Sequence, residues 1–372
     1  MSLLRIQQST EDLRQLDRFG PGTMEIESFN NPFLAVNWNL GNVCTYKCIY
    51  CATACHDGSH GWPDIETATR VVRSLDKIYK CAPYNKRKIV FELLGGECTI
   101  WKDFEQLAHT IRETDNLIML VTNGIRTARW WKDHAELFAS VNLSFHPESA
   151  DYQHISEVAN ILAERQIPAS ILLLMYPPRW EYSLQAHAHF LEHAPYATVS
   201  LQSLTLLKDS AAAQIHAGAE NTNARWPYNI EQLRWMQENY THFPRLIPKR
   251  DLRGIMCPDR PTYPGLIFFA HDNPSRLHQV TNGYLSSHRL NNWKDWQCYV
   301  GIDTLYLEQN GDLRRDAMCR VRKPFGNWKK DDLLNLKFPE QPVRCPYNDC
   351  FCSHDFKARK DRSVRGIPAE PG

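Results

Sequence analysis

The sequence predicts an α/β fold, namely a partial (β/α)6 barrel followed by a small α+β module that contains a β-hairpin. The barrel is predicted because six short apolar runs alternate with amphipathic segments of helical period between Phe33 and Leu207. This alternation is typical of βα units around a parallel sheet. Six units are fewer than the eight of a closed barrel, so we expect an open one. The hairpin is predicted by the tight-turn pair Asn310-Gly311 between two strand-like runs.

The predicted elements follow one another in regular order along the chain. The strands are Leu34–Leu40, Lys88–Leu94, Leu117–Val121, Val141–Phe145, Ala169–Met175 and Thr198–Leu201. The helices between them are Asp64–Tyr79, Asp103–Arg112, Ala128–Phe138, Tyr152–Arg165 and Tyr182–His193. Beyond Leu207 we expect one further helix at Asn229–Asn239, and hairpin strands at Thr304–Glu308 and from Asp312 onward.

These changes of pattern divide the chain into five segments. We expect an N-terminal extension at 1–33, the barrel at 34–207, a bridging region at 208–290, a cysteine-rich module at 291–358 and a loose tail at 359–372. Several aromatic residues in and just after the bridging region either line a pocket or form a small core, and we favour the core. They are Trp226, Tyr228, Trp235, Tyr240, Trp293 and Trp296.

Charge and hydropathy exclude several classes of protein. The 372 residues include 43 Lys+Arg and 42 Asp+Glu, a formal net charge of +1, which disfavours a nucleic-acid partner. No apolar run reaches the roughly 18–20 residues of a membrane span, and the N-terminal segment is too charged for a signal peptide. We therefore expect a cytoplasmic protein without a membrane partner. Its 12 cysteines are then better explained as metal ligands or catalytic thiols than as disulfides.

A first cysteine cluster follows the first predicted strand. Cys44, Cys48 and Cys51 have the spacing C-x3-C-x2-C, so one loop can bring three thiolates to a soft metal centre. On a four-iron cluster, three protein thiolates leave one iron open to bind another molecule. Cys55 and His56 lie near enough to complete a zinc site, so a zinc knuckle remains an alternative. The loop follows a strand end, where a barrel places its active site.

This motif, with Tyr50 just before the third cysteine, closely resembles that of the radical S-adenosylmethionine (SAM) enzymes. The resemblance covers roughly residues 33–207. It implies a [4Fe–4S] cluster whose open iron chelates the amino and carboxylate groups of SAM. It also implies reductive cleavage of SAM to a 5′-deoxyadenosyl radical, which abstracts a hydrogen atom from the substrate. The electron would come from an external one-electron reductant such as flavodoxin or ferredoxin.

A Gly-Gly-Glu sequence ends the second predicted strand. Gly95 and Gly96 allow a close approach of backbone to ligand, and the Glu97 carboxylate can pair with an ammonium group. The resemblance assigns these residues to the amino group of SAM. Radical SAM enzymes often have proline next, where this chain has Cys98. Cys98 is either a packed small residue or a thiol that returns a hydrogen atom to a substrate radical.

Polar residues also end the later strands and face the mouth of the predicted barrel. The resemblance makes them further candidates for contacts with SAM: Asn123, Ser144, His146 and Gln202. Asn123 precedes a glycine and can equally form a simple turn, whereas His146 can instead cap its loop.

A second cysteine cluster surrounds the predicted hairpin. Its members are Cys298, Cys319, Cys345, Cys350 and Cys352. The segment resembles the auxiliary-cluster modules of radical SAM enzymes, called Twitch with one cluster and SPASM with two. Seven residues separate Gly311 from Cys319, where SPASM has four. Five cysteines cannot fill two four-iron clusters, so we predict one auxiliary [4Fe–4S] cluster. Its ligands would be Cys298, Cys319 and two of the other three, with structural zinc or buried thiols as alternatives.

These features predict a radical SAM enzyme that oxidatively modifies a peptide or protein side chain, assisted by the auxiliary cluster. That cluster would accept an electron from the substrate radical or support the module structurally. Two alternatives remain open. The same chemistry could act on a small metabolite (a sugar, nucleotide or amino acid), or the chain could be a non-enzymatic zinc protein. The isolated Cys81 and Cys257 are expected to be structural.

Overall fold

The computed structural model describes residues 24–27, 33–86, 88–206, 210–211, 224–239, 241–242, 267–270, 273–279, 293–317, 319, 321, 323–347, 358 and 360–361. The strands are β1 (Met24–Glu27), β2 (Phe33–Asn39), β3 (Lys88–Leu94), β4 (Leu117–Thr122), β5 (Ser140–Phe145), β6 (Ala169–Met175), β7 (Thr198–Ser203), β8 (Thr205–Leu206), β9 (Ala224–Arg225), β10 (Thr241–His242), β11 (Ile267–Ala270), β12 (Asn273–Gln279), β13 (Gln297–Cys298), β14 (Thr304–Leu307), β15 (Asp312–Arg314), β16 (Gly326–Asn327), β17 (Val343–Arg344) and β18 (Lys360–Asp361). The helices are α1 (Ile65–Tyr79), α2 (Phe104–Glu113), α3 (Ala128–His134), α4 (Tyr152–Glu164), α5 (Trp180–His193) and α6 (Ile230–Glu238).

The central sheet confirms the predicted barrel architecture. Strands β2 to β7 lie side by side in chain order and are all parallel, with one helix from α1 to α5 between each successive pair. Within the described residues, β2 pairs with β3 and β14 while β7 pairs with β6 and β10, so the barrel stays open. The predicted boundaries agree to within about two residues, except that the third helix becomes 3-10 after His134. No described helix has the length and apolarity to cross a membrane.

The two faces of the sheet differ because side chains alternate along each strand. Leu34, Val36 and Trp38 pack on the helices in the main core, whereas Phe33 belongs to a small apolar cluster on the other, inner face. The rest of the inner face carries both polar and apolar side chains. Its polar residues are Asn37, Asn39, Glu92, Asn142, Ser144, Ser170, Ser200 and Gln202, and towards the carboxyl ends they share the face with Leu94, Val121, Leu172 and Leu174. An open inner face of mixed polarity therefore lies at the carboxyl edge of the barrel.

The C-terminal hairpin extends the barrel sheet. Strand β14 is parallel to β2, with Tyr306 in register with Asn37, and β15 and β16 continue the sheet. The predicted turn is confirmed: Gly311 has φ +99, a left-handed conformation that favours glycine. Just before β14, Asp303 forms a buried ion pair with Lys86, which lies just before β3. The hairpin is therefore part of the barrel's own sheet, a pairing that the sequence pattern did not predict.

The aromatic residues after the barrel mostly form core, as predicted. Trp226 and Tyr228 are buried in the main core, and the Tyr228 hydroxyl donates to the Met175 carbonyl at 2.5 Å. Trp293 and Trp296 pack edge to face, with ring centroids 5.3 Å apart. The predicted helix is present as α6, capped by Asn229. Tyr240 lies outside the described residues.

Candidate functional site

The cysteine loop lies at the carboxyl end of β2, as its position in the sequence predicted. The Cys51 backbone N–H donates to the Cys48 carbonyl at 3.1 Å, and a 3-10 turn at Thr53–Cys55 follows. Cys48 is buried, Cys44 and Cys51 are half-buried, and Cys55 is exposed. One short loop at the open edge of the barrel therefore carries all three predicted ligands.

The Gly-Gly sequence at the end of β3 holds the start of this loop. The Gly96 backbone N–H donates to the Gly41 carbonyl at 2.9 Å, and the Glu97 N–H donates to the Val43 carbonyl at 2.8 Å. A Cβ atom at Gly95 would lie 2.3 Å from the Gly41 oxygen, and one at Gly96 would lie 2.1 Å from the Val43 oxygen. Both glycines are thus required by contact with the cysteine loop. Their predicted approach to SAM stays a prediction.

Glu97 is fully buried and joins the ends of β3 and β4. Its Oε1 accepts from the Thr99 and Thr122 hydroxyls at 2.6 and 2.8 Å, and its Oε2 accepts from the Asn123 backbone N–H at 2.7 Å. Burial raises the pKa of this carboxyl, while the hydrogen bonds act in the opposite direction. Protein donors therefore already occupy much of the carboxylate, and its predicted pairing with the SAM amino group stays a prediction.

The end of β4 contacts the cysteine loop through Asn123. Its side-chain amide donates to the Thr45 hydroxyl at 3.1 Å, and its Oδ1 accepts from the Ile125 backbone N–H at 3.0 Å. A second amide within the loop, Asn42, is fully buried and donates to Asp57 Oδ1 at 2.6 Å. Sequence reasoning missed Asn42, because no spacing marks an asparagine that cross-links its own loop.

The end of β5 contacts the middle of the cysteine loop through His146. His146 Nδ1 lies 3.4 Å from Cys48 Sγ and 3.1 Å from the Tyr50 hydroxyl oxygen. Burial lowers the pKa of His146 to about 4, so its imidazole is neutral at pH 7. Glu148 Oε2 accepts from the Ile49 backbone N–H at 3.0 Å, a contact that sequence reasoning also missed.

The thiols of the loop have different surroundings. Burial raises the pKa of Cys48 to about 11. The Cys55 thiol is in hydrogen-bond contact with the Cys51 thiol, and this contact lowers the pKa of Cys55 while it raises that of Cys51. Ser144 is half-exposed on the inner face, in register with Leu172. Gln202 is exposed at the inner face of β7.

The donor set of the loop suits an iron–sulfur cluster, because three thiols on one short loop at the barrel edge are the ligands that such a cluster takes. Nearby, at the end of β2, Asn39 Oδ1 is buried and has no hydrogen-bond partner among the described residues, so it can accept from an ammonium group.

The module brings together three of its five cysteines. Cys298 is buried on β13 in a small cluster with Val300 and Ala358, against which Cys319 packs, and its register partner Val343 precedes Cys345 by two residues. Burial raises the pKa of Cys319 to about 11, with smaller contributions from Asp316 and Cys345. Cys350 and Cys352, like Cys257, lie outside the described residues. The ligand set of an auxiliary cluster stays a prediction.

Two further cysteines lie apart from these groups. Cys98 is fully buried in the main core, with its thiol 3.9 Å from the Val121 carbonyl oxygen. The sequence left two roles open for Cys98, a packed small residue or a thiol that returns a hydrogen atom to a substrate radical. Its burial favours the packed residue. Cys81 is exposed just after α1.

Comparisons with known proteins agree with this architecture. Residues 38–199 match the sequence model of the Radical SAM superfamily. GTP 3′,8-cyclase of Vibrio cholerae serotype O1 is 28% identical over 106 residues, and that of Actinobacillus pleuropneumoniae serotype 5b is 31% identical over 112 residues. Each match covers 28% of this chain and 30% of the relative, so only about a third of each curated relative's length is matched.

Two solved structures are similar over most of the chain. Streptococcus suis SuiB bound to S-adenosylmethionine has a TM-score of 0.45 at 14% identity, covering 90% of this chain and 69% of SuiB. Native anSMEcpe with bound AdoMet has a TM-score of 0.47 at 15% identity, covering 82% of this chain and 81% of that one. Residues 38–199 of this chain therefore form a domain of the Radical SAM superfamily.

Proposed function

We propose that this enzyme reductively cleaves SAM and uses the resulting 5′-deoxyadenosyl radical to abstract a hydrogen atom from a peptide or protein side chain. The net reaction would be an oxidation assisted by one auxiliary [4Fe–4S] cluster. The observation that carries the proposal is the cysteine loop at the carboxyl edge of the barrel, held there by the ends of β3, β4 and β5. An external one-electron reductant such as flavodoxin or ferredoxin would supply the electron.

The residues at the barrel edge have distinct roles in this proposal. Cys44, Cys48 and Cys51 would hold a [4Fe–4S] cluster, which when bound supplies the electron and an open iron for SAM. The unpartnered Asn39 Oδ1 can accept from an ammonium group at the end of β2. Glu97 fixes the ends of β3 and β4 through its hydrogen bonds and is our candidate for the SAM amino group. Ser144 and His146 are further candidates for contacts with SAM.

The charge of the inner face favours a peptide over a nucleoside triphosphate. A triphosphate needs several Lys or Arg donors. On the inner positions of β2 to β7, the only basic residue is Lys88, which pairs with Asp115 at the amino end of β3. Arg314 on the added hairpin is already paired with Glu308 and Asp312, both at 2.8 Å. The other inner side chains are amides, hydroxyls, apolar groups and the Glu92 carboxylate, which accepts from Asn37 at 2.8 Å. Such a face has no cluster of basic donors and suits a peptide better than a triphosphate. A small uncharged metabolite is the second candidate.

The module supports the oxidative part of the proposal. Cys319 packs against the cluster that contains Cys298 and interacts electrostatically with Cys345, and Cys350 or Cys352 would supply a fourth thiolate. Four protein thiolates leave no iron open, so electron transfer or structural support fits better than direct substrate binding. Strand β14 of this module's hairpin pairs with β2, and β2 ends at the cysteine loop.

Anaerobic purification of the full chain tests the proposal. Two four-iron clusters give about eight irons per chain with matching sulfide. Incubation with SAM and a strong reductant should then yield 5′-deoxyadenosine. Simultaneous Cys44→Ala, Cys48→Ala and Cys51→Ala substitution should abolish that product. Zinc without iron, or product formation by the triple variant, would contradict the assignment.

Isotope transfer tests the substrate class. With a perdeuterated peptide substrate, deuterium should appear in 5′-deoxyadenosine, because the radical takes its hydrogen atom from the substrate. GTP serves as the comparison, since the curated relatives are GTP 3′,8-cyclases. If GTP increases 5′-deoxyadenosine formation and none of the tested peptides does, the peptide proposal is wrong and a nucleotide substrate replaces it.

A further inference from the structure

Cys48 has aromatic hydrogen-bonding partners that come from its own loop and from a distant strand. His146 Nδ1 lies 3.4 Å from its sulfur, within hydrogen-bonding distance for a sulfur acceptor, and Tyr50 also hydrogen-bonds to Cys48. The surroundings of the other two cysteines are different. Cys44 interacts with backbone N–H groups at Thr45 and Tyr46, and Cys51 contacts the Cys55 thiol.

The positions of these partners are fixed by packing. The Tyr50 and His146 rings lie almost parallel, with an interplanar angle of 3° and centroids 6.0 Å apart, and Tyr176 packs 5.2 Å from Tyr50. The His146 carbonyl accepts from the Ser149 and Ala150 backbone N–H groups, which holds the turn after β5. Tyr50 is only 4% exposed. Hydrogen bonds in such a low-dielectric setting are stronger than those exposed to water.

The chemistry of a thiolate determines the direction of these hydrogen bonds. A metal-bound thiolate accepts hydrogen bonds and donates none. Tyr50 has one O–H to donate, and His146 has one N–H towards the sulfur if its proton is on Nδ1. Nδ1 also lies 3.1 Å from the Tyr50 hydroxyl oxygen, so an unprotonated Nδ1 would take the single Tyr50 O–H and leave the sulfur without a donor from either ring. The thiolate therefore selects the tautomer of His146 that is protonated on Nδ1.

We propose that Tyr50 and His146 donate hydrogen bonds to the Cys48 sulfur and thereby raise the reduction potential of the cluster that this loop holds. Reduction adds negative charge to the cluster and its sulfur ligands, so donors to a ligand sulfur stabilise the reduced form. The inference rests on the proposed function, because it requires a cluster on Cys44, Cys48 and Cys51. Tyr50 and His146 act here as positioning residues, since they act through Cys48.

A redox titration without SAM tests this role separately from any contact between His146 and SAM. The full chain is reconstituted anaerobically, and the reduced cluster is followed by electron paramagnetic resonance as a function of potential. The signal that changes on later addition of SAM identifies the cluster of the loop. Tyr50→Phe and His146→Phe keep the rings and remove the donors. Each should shift the midpoint to more negative values, with about a tenfold lower ratio of reduced to oxidised cluster at a fixed potential.

Two further variants sharpen the test. His146→Asn retains an amide donor near the position of Nδ1 and should keep the midpoint close to that of the unmodified chain. Tyr46→Phe is the matched control: Tyr46 also packs against His146, with centroids 5.9 Å apart, and its hydroxyl has no hydrogen bond to the Cys48 sulfur among the described contacts. The midpoint potential of the cluster in Tyr46→Phe should therefore equal that of the unmodified chain.

The outcomes separate this inference from the proposed function. If the unmodified chain incorporates no iron, the proposed function fails. If it forms the cluster, but Tyr50→Phe and His146→Phe leave the midpoint unchanged, the inference is wrong while the proposed function stands. Iron per chain is measured for every variant. If His146→Phe loses its iron, the test rests on Tyr50→Phe and His146→Asn, which both retain a hydrogen-bonding group at position 146. A lower midpoint for Tyr50→Phe and an unchanged one for His146→Asn would support the inference, and an unchanged midpoint for Tyr50→Phe would contradict it.

Discussion

The cysteine loop of the barrel and the cysteine-rich module of the C-terminus are constructed in different ways. The loop carries its three predicted ligands within eight residues, and the ends of three neighbouring strands hold it in place. In the module, Cys298, Cys319 and Cys345 lie on or after separate short strands. The geometry of the first site is thus imposed by the parallel sheet. That of the second depends on the irregular chain between its strands, so the first site should survive damage to the second.

The largest expected effect tests this independence directly. A Cys298→Ala, Cys319→Ala double variant should lose about half of its iron, because one of two four-iron clusters is removed. It should still form 5′-deoxyadenosine from SAM and a strong reductant, because the loop and the sheet edge are unchanged. Iron analysis and chromatography of the nucleoside products measure both. Loss of 5′-deoxyadenosine at unchanged folding would show that the two sites depend on each other.

A glycine substitution tests how the sheet holds the loop. In Gly96→Ala the new Cβ would lie 2.1 Å from the Val43 oxygen, a backbone atom that cannot turn away. We expect cluster loss together with a decrease of about 3 kcal/mol or more in the free energy of unfolding. Gly61→Ala is the matched control in the same loop, because its Cβ meets nothing within 4 Å. It should change stability by less than about 0.5 kcal/mol. Denaturant unfolding of the two variants provides the measurement, and equal behaviour would remove this explanation of the Gly-Gly pair.

The buried ion pair tests the junction between barrel and module. Asp303 is fully buried and Lys86 is 5% exposed. Asp303→Asn leaves the Lys86 ammonium buried without its counter-charge, which costs about 3–5 kcal/mol of stability. Lys88–Asp115 is the matched control, since its aspartate side chain is 80% exposed. Asp115→Asn should cost less than about 1 kcal/mol. A calorimetric comparison in which the Asp303 variant melts like the Asp115 variant would show that the junction does not depend on this pair.

These contacts also show which parts of the molecule could be predicted from the sequence. Strands β2 to β7 and their helices have apolar periods that are local properties, so the sequence predicts them well. The C-x3-C-x2-C loop is equally local. The contact of His146 with Cys48 joins residues 98 positions apart, and the pairing of Tyr306 with Asn37 spans most of the chain. Such contacts depend on how strands are ordered in space, and no spacing in the sequence encodes them.

The smallest expected effect concerns Cys98, which lies next to the barrel site without facing it. Because the residue is fully buried in the main core, Cys98→Ala should cost only about 1 kcal/mol of stability through the lost packing of one sulfur atom. Formation of 5′-deoxyadenosine and of the modified substrate should be unchanged. Cys81→Ala, at an exposed position, is the control and should alter neither stability nor product. If Cys98→Ala still consumes SAM but no longer completes the product, the thiol returns a hydrogen atom to the substrate radical. The buried thiol would then have to reach the barrel edge during turnover.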